Sequence, residues 1–474
     1  MLAASILSSC AFPTRPGIPR ETMMGERRCD VAVIGAGTAG LKAYKAATAR
    51  GADVVLIERG EGGSTCTRVG CMPSKLLLAA ANAAEAARRA TVFGIEASPT
   101  IDGAAVLRRL RGERDRFVDS VLDDYHAIPA DRRIAGVARF TGADTLAVGD
   151  QAIRAGAIVI ATGATPLIPD TLDSVRDLVR THETIFEIEA LPARLAVLGA
   201  GPVGVELAQA FARLGCAVTL IDDGESIGGL GDPAAIEAAV AAIGGELDLR
   251  LGVTATAERA GSQARLRWTG AGEGEVTVDL ILAATGRPPS LDTLDLAATG
   301  LELDDRGTPL FDRETHRCGT SSIFVAGDAG AWRPVLHEAA RGGRIAGEVA
   351  AGGEAPRPLP RFAVTFTEPN MVEVGCAFAD LPEGSGIGCS TMADNGRATA
   401  EAQAAGLVRL YGDGDGMLIG ASIVAHGGEH LGHLVALGID RGISVADFAD
   451  QPWYHPTIEE ALQSAARDLA GIAD

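Results

Sequence analysis

The chain lacks the excess of positive charge that a nucleic acid or an anionic membrane would demand. Its 42 Lys and Arg stand against 62 Asp and Glu in 474 residues, a net charge of −20, so neither partner is expected. It also lacks any run of 18 apolar residues, although 47% of its residues are hydrophobic, so no membrane-spanning helix is expected. Nor do its eight cysteines form the dense framework of a secreted disulfide scaffold. Cys10, Cys29, Cys216, Cys318, Cys376 and Cys389 are scattered singly, as free thiols in a reducing, cytoplasmic compartment would be. Leu7-Ser8-Ser9-Cys10 looks like a lipoprotein cleavage site, but no basic residue precedes it and the apolar run before it is too short for a signal. Residues 1–27 therefore read as a disordered extension, or as the product of a start codon placed ahead of Met23 or Met24.

What is present is a pair of thiols five residues apart, Cys66 and Cys71, at the mouth of an apolar helical stretch from Leu76 to Arg89. On a regular helix residues i and i+5 are roughly 8.6 Å apart, whereas a disulfide needs Cα atoms within about 7 Å. Regular helix cannot run through the pair. Gly70 supplies the freedom to pull Cys71 back, and Pro73 with Ser74 suits the first turn of the helix that follows. A thiol beside helix N-terminal amides is pushed toward thiolate, the form that attacks disulfides. The alternative for this segment alone is two buried structural cysteines.

Length sets a prior of about three domains of ~150 residues. The first opens on a strand, Asp30 to Ile34, followed by Gly35-Ala36-Gly37-Thr38-Ala39-Gly40, a helix to Arg50, and a strand from Asp53 to Ile57 ending in Glu58. Glycines allow the tight turn and the approach of a pyrophosphate to the helix N-terminus, and the terminal acid can accept both ribose hydroxyls. The same unit returns as strand Arg194 to Leu198, loop Gly199-Ala200-Gly201-Pro202-Val203-Gly204, helix Val205 to Leu214, and strand Cys216 to Ile221 ending in Asp222. The acid follows the last glycine by 18 residues in both copies. Each copy is followed by a strand ending in Ala-Thr-Gly: Ala161-Thr162-Gly163 and Ala284-Thr285-Gly286. Two units imply two dinucleotides. With a dithiol, they form an electron path if one nucleotide carries a flavin ring between a mobile hydride carrier and the disulfide, which points to FAD and NAD. Asp222 and Asp223, with no arginine until well beyond the turn, favour NAD over NADP.

At this point the residues carry a resemblance. From about Cys29 to the C-terminus the chain resembles the pyridine nucleotide-disulfide oxidoreductase family, and within it a divergent dihydrolipoyl dehydrogenase-like subgroup. The motifs are the first glycine loop, Cys66 to Lys75, the second glycine loop with Glu206, Ser322-Ile323-Phe324-Val325-Ala326-Gly327-Asp328, and His455-Pro456-Thr457-Ile458-Glu459-Glu460. The resemblance implies an α/β fold with two Rossmann-like domains and a C-terminal α+β dimerisation domain. It makes Cys66 the exchange thiol, Cys71 the thiol against the flavin, and Lys75 with Glu206 an ion pair at the ring. Asp328 would bind the ribityl chain, Pro334, Val335, Leu336 and His337 would lie near the ring, and Ala138, Thr162 and Gly163 would also line the FAD site. Gly286 would join the NAD site. His455 and Glu460 would be the catalytic base and its orienting carboxylate, although a lone His near a C-terminus is ordinarily a surface residue.

On this resemblance residues 28–165 and 290–352 would bind FAD, 166–289 NAD, and 361–474 would form a homodimer interface behind a Gly/Pro linker at 352–360. Phe362 to Phe366, Leu407 to Tyr411 and Met417 to Val424 read as strands, and 88–125 as charged, solvated surface broken at Pro99 and Gly112. The implied activity is oxidation of a protein-bound dihydrolipoyl group by NAD⁺. The alternatives are an NAD(P)H-dependent reductase of another small disulfide such as glutathione, and a carrier-associated subunit with incidental redox activity. Ser64 and Thr65 stand where the common pattern has one residue, Arg68 where Asn is usual, and Trp453-Tyr454 before His455 where another His is usual. Arg68 could recruit an anionic substrate or pair with a local acid. No cysteine follows Cys389, which argues against the C-terminal thiol pairs of mercuric reductase and large thioredoxin reductase.

Overall fold

The strand Met24–Ile34 lies centrally in a mixed sheet, parallel to both of its neighbours; Val31, Ala32 and Val33 are fully buried, the two valines under helices on one face and Ala32 against Phe140, Leu146 and Leu294 on the other. The computed structural model describes residues 24–472. Across this sheet the order is Arg133–Ala135, Val54–Glu58, Met24–Ile34, Gln151–Ile160, Thr145–Val148 and Ala138–Gly142. The long Gln151–Ile160 strand changes partner along its length: its first half pairs with the Thr145–Val148 hairpin arm and its end with Ile323–Val325. Helix α1 (Thr38–Ala49) lies against the Leu336–Ala350 helix. A Cβ on Gly343 or Gly347 would fall 2.1 Å from Ala39 O or 2.3 Å from Ala43 O, so glycine lets these helices touch backbone to backbone.

A second parallel sheet runs Asp248–Arg250, Ala217–Ile221, Arg194–Leu198, Leu280–Ala283 and Val179–Arg180, beside a three-stranded antiparallel sheet of residues 253–278. The helix of this repeat spans Pro202–Arg213, with proline in its first turn. After residues 353–361, which carry no regular structure, comes an antiparallel sheet in the order Phe362–Thr365, Asn370–Gly375, Leu418–Ala425, Leu407–Gly412 and Gly386–Thr391. Its core includes residues from the Gly428–Arg441 and Glu460–Ala470 helices, among them Leu431, Val435 and Leu462.

Three expectations are corrected. The extension expected through residue 27 lies mostly outside the described residues, as do Cys10 and Met23. Residues 24–27, however, belong to the first strand, where Met24 pairs with Gln151 and Arg27 with Ile153. Backbone pairing on a neighbouring strand fixes them, and the polar sequence gives no sign of it. The segment 88–125 is interrupted at 94–102, but helix Gly103–His126 runs unbroken through Gly112 and buries Leu107, Leu110, Val118 and Tyr125. The helix bearing Cys71 starts at that residue rather than at Leu76.

A buried polar chain joins the second unit to the C-terminal sheet. Tyr411 Oη lies 2.7 Å from Asp232 Oδ2 and 2.8 Å from Ser422 Oγ, and Ser422 Oγ lies 2.6 Å from Glu373 Oε1. Three contacts between oxygens need three hydrogens, and the two hydroxyls supply two. The third must sit on a carboxyl group. Asp232 accepts from Arg409 Nε at 2.6 Å and caps Ala234 N–H at 2.9 Å, which suits an anion. Glu373 has Gly231 N–H at 3.3 Å and Arg361 no closer than 3.9 Å, and burial pushes its carboxyl above the usual range. Of the two carboxyls, Glu373 is the one whose surroundings favour holding the extra proton.

Candidate active site

Helix α2 (Thr65–Arg68) is one turn long, and helix α3 (Cys71–Arg89) begins after the break at Val69 and Gly70. Ser64 caps α2 by accepting from Cys66 N–H at 3.2 Å, and its hydroxyl meets Thr38 Oγ1 at 2.7 Å. The cysteine loop is thereby tied to the start of α1. A Cβ on Gly70 would lie 3.0 Å from Thr65 O, so this close return of the chain favours glycine. Cys66 and Cys71 are unlinked here, and the neighbouring Cys66 lowers the Cys71 thiol to about 7. Lys75 lowers Cys71 further, while burial opposes. A lysine ammonium near the first residue of a helix favours the thiolate of Cys71.

Lys75, one turn further along α3, places Nζ 2.8 and 3.0 Å from the two oxygens of Glu206. Glu206 comes from the Pro202–Arg213 helix and its side chain is only 7% exposed. Ser74 Oγ donates to it at 2.8 Å and Phe366 N–H at 2.8 Å. Charge-assisted bonds of this kind are stronger than neutral ones and fix the carboxylate in place. Ser74 and Phe366 escaped the sequence reading. Adjacency to Lys75 could have flagged Ser74, whereas Phe366 is 160 residues from Glu206 and left no local signal.

The two glycine loops are built alike. Glu58 accepts from Ala36 N–H at 2.6 Å and Gly60 N–H at 2.8 Å, and Asp222 from Ala200 N–H at 2.5 Å and Gly224 N–H at 2.7 Å. Gly35 and Gly199 have φ of 103° and 107°, and a Cβ on Gly40 or Gly204 would fall 1.8 Å from the oxygen of Gly35 or Gly199. The middle glycines face open space: a Cβ on Gly201 would meet nothing within 4 Å, and one on Gly37 only Gly63 O at 3.9 Å. That is the room a pyrophosphate needs. Gly35, Glu58, Ala138 and Thr162 line one cleft with Ser290 and Leu294. Thr162 Oγ1 is buried there without a partner among the described residues, an orphan that a nucleotide would satisfy. Gly163 and Gly286 hold positive φ, 72° and 132°, at the two sheet ends.

Other expected residues stand elsewhere or are engaged. Asp328 pairs with Arg287 at 2.8 Å, a cation directly after Gly286 that the sequence reading passed over. Val335 caps the helix Leu336–Ala350, and Pro334, Leu336 and His337 are exposed around its start. Arg68 takes the second of its two expected options, pairing with Glu61 at 3.3 Å and Gly62 O at 3.1 Å. Arg250, also unforeseen, lies beside the second acid: Asp222 N–H donates to Arg250 O at 2.9 Å. Its guanidinium is held by Asp248 at 2.8 Å and by the Trp268 ring at 5.5 Å. His455 Nδ1 lies 3.0 Å from Glu460 Oε1, and Thr457 N–H donates to Glu460 Oε2 at 2.9 Å. Burial pushes the Glu460 carboxyl up, but the Thr457 N–H and the His455 bond together outweigh it and hold the group below the usual carboxylate range. Among the described residues no hydrogen bond links this dyad to the thiols, and the His455 side chain is 79% exposed.

Residues 29–343 match the family model of the pyridine nucleotide-disulphide oxidoreductases, and 362–466 match the dimerisation domain of the same family. The chain belongs to this family. It is 31% identical to a dihydrolipoyl dehydrogenase of Haloferax volcanii, over 94% of this chain and 97% of the relative. It is 34% identical to a mercuric reductase of Acidithiobacillus ferrooxidans, over 92% and 82%. Mercuric reductases are thus relatives even though no cysteine follows Cys389. Among solved structures, LpdA from Mycobacterium tuberculosis superposes with a TM-score of 0.80 at 23% identity over 93% of this chain and 99% of that one. The HOCl-induced flavoprotein disulfide reductase RclA from Escherichia coli gives 0.78 at 21% over 92% and 99%. Both support the fold. The protein is an oxidoreductase that uses FAD and NAD, and its dimerisation domain supports a homodimer. Among the described residues no helix is long and apolar enough to cross a membrane.

Proposed function

We propose that this protein oxidises a protein-bound dihydrolipoyl group with NAD⁺ through the Cys66 and Cys71 pair. The observation that carries this reading is geometric: Cys71 opens α3 directly after the Cys66 turn, and Lys75, one turn on, is held at 2.8 Å by the buried Glu206. Residues 28–165 and 290–352 would hold FAD through Gly35, Gly37, Gly40, Glu58, Thr162 and Asp328. Residues 166–289 would hold NAD through Gly199, Gly201, Gly204 and Asp222. Bound FAD supplies a ring that accepts an electron pair from a thiolate and delivers it to NAD⁺.

The chain's own residues then have defined work. His455, its tautomer fixed by Glu460, takes the proton of one substrate thiol. The resulting thiolate attacks Cys66 Sγ in the oxidised pair; the Cys66–Cys71 bond breaks and Cys71 leaves as thiolate. The second substrate thiol releases its proton to solvent and attacks the substrate sulfur of the mixed disulfide, closing the lipoyl ring and releasing Cys66, which takes the first proton from the His455 imidazolium. Cys71 remains ionised beside Lys75. His455 would come from the second copy of the dimer, consistent with its exposure in the single chain. Arg68, already paired with Glu61, offers less to an anionic disulfide such as glutathione than a free cation would.

Mixing the purified holoprotein with dihydrolipoamide and NAD⁺ should give NADH. Absence of NADH, together with turnover of oxidised glutathione or of Hg(II) by NADH or NADPH, would replace this substrate with another.

A further inference from the structure

Glu206, Gln209 and Arg213 share one face of the Pro202–Arg213 helix, and all three are buried. This polar stripe faces the segment 366–370 of the C-terminal unit. Gln209 Nε2 donates to Glu368 O at 2.8 Å and Glu368 N–H donates back to Gln209 Oε1 at 2.8 Å. Arg213 Nη2 also donates to Glu368 O at 3.1 Å, while its remaining nitrogens hold Glu246 and Asn82. The reciprocal amide pair fixes the segment against the helix at its main chain, whatever side chains it carries. Two residues upstream, Phe366 N–H occupies one oxygen of Glu206 and the Phe366 ring lies 4.3 Å from Lys75 Nζ.

We propose that Phe366 is a positioning residue for the redox site, its ring face and main-chain N–H holding the Lys75 ammonium and the Glu206 carboxylate in place beside Cys71. This rests on the assignment of Cys66, Cys71 and Lys75 made above. A lysine ammonium on a flexible four-carbon stem, one third exposed, has many places to go. The carboxylate alone restrains it from one side. The aromatic face attracts it from another, through the negative quadrupole of the ring, and leaves it a single direction. The C-terminal unit thereby contributes to the redox pair within its own chain, separately from anything it brings to a second copy.

The test uses full-length Cys66→Ser protein, in which Cys71 cannot enter the pair's disulfide, and follows alkylation of Cys71 by iodoacetamide against pH. Phe366→Leu keeps the N–H and the apolar volume but removes the ring. It should move the midpoint upward and lower the thiolate fraction at neutral pH about threefold to tenfold, the range of a partly buried cation–π contact. Phe366→Tyr should stay near the parent, and Phe366→Met supplies the comparison if the leucine variant does not accumulate. In a Lys75→Met background Phe366→Leu should produce no further shift, because the ring acts through the ammonium. An unchanged midpoint in Phe366→Leu, or an equal shift with and without Lys75, would overturn the proposal. No effect of Lys75→Met itself would instead remove the assignment of Lys75 beneath it.

Discussion

At the scale of single residues, the Cys71 thiol answers to its neighbours Cys66 and Lys75. Since Cys71 is lowered to about 7, its reactivity in the reduced protein should rise through neutral pH and be lost as the pH falls below that value. The two-electron-reduced holoprotein should show a long-wavelength absorption from the Cys71 thiolate against the flavin. Cys71→Ser should abolish that absorption, and Cys66→Ser should keep it while turnover is lost. A spectrum indifferent to Cys71 would contradict the assignment. Coenzyme choice also belongs here. Both oxygens of Asp222 are tied to loop amides at 2.5 and 2.7 Å, so Asp222→Ala should loosen the loop itself, costing about 1–3 kcal/mol in a denaturation experiment. Exposed Asp223 is the better place to alter. The wild type should favour NAD⁺ over NADP⁺ in kcat/KM, and Asp223→Arg should narrow the ratio at little cost in stability; equal use of both by the wild type would refute the assignment.

At the scale of elements, the chain Asp232–Tyr411–Ser422–Glu373 makes the seam between the second nucleotide unit and the C-terminal sheet proton-dependent. Glu373 has its carboxyl raised in the folded state. Its contribution is therefore complete below the unfolded carboxyl value and is lost as the pH rises through the folded one. Asp232 and Arg409 from one side, and Arg361 and Tyr411 from the other, are the charged or ionisable groups facing it. Glu373→Gln keeps a hydrogen to donate at every pH, so it should flatten the decline in Tm that the wild type shows as the pH rises above the ordinary carboxylate range; an unchanged decline would place the proton elsewhere. Such a chain was invisible in the sequence, because its members are scattered over 191 positions and each reads alone as a surface or cap residue. Legibility followed locality. The glycine loops with Glu58 and Asp222, and the Cys66 to Lys75 segment, could be read because turn chemistry and spacing lie within one stretch. Phe366, Arg250 and the 24–27 strand could not, because strand register and domain contact bring them to their partners.

At the scale of the molecule, the reading divides each active site between two copies. A protein with Cys71→Ser and another with His455→Gln should each be nearly inactive. Co-expressed, random pairing makes half the dimers mixed, and each mixed dimer holds one intact site, so roughly a quarter of wild-type activity should return. No rescue would mean that the sites lie within single chains. The exposed dyad gives this arrangement a further meaning. A lone chain can be fully folded, with its thiols, its Lys75–Glu206 pair and its nucleotide loops in order, and still present His455 only to water. Catalysis then becomes a property of encounter as well as of folding, and dilution acts as an off-switch that leaves every chain intact.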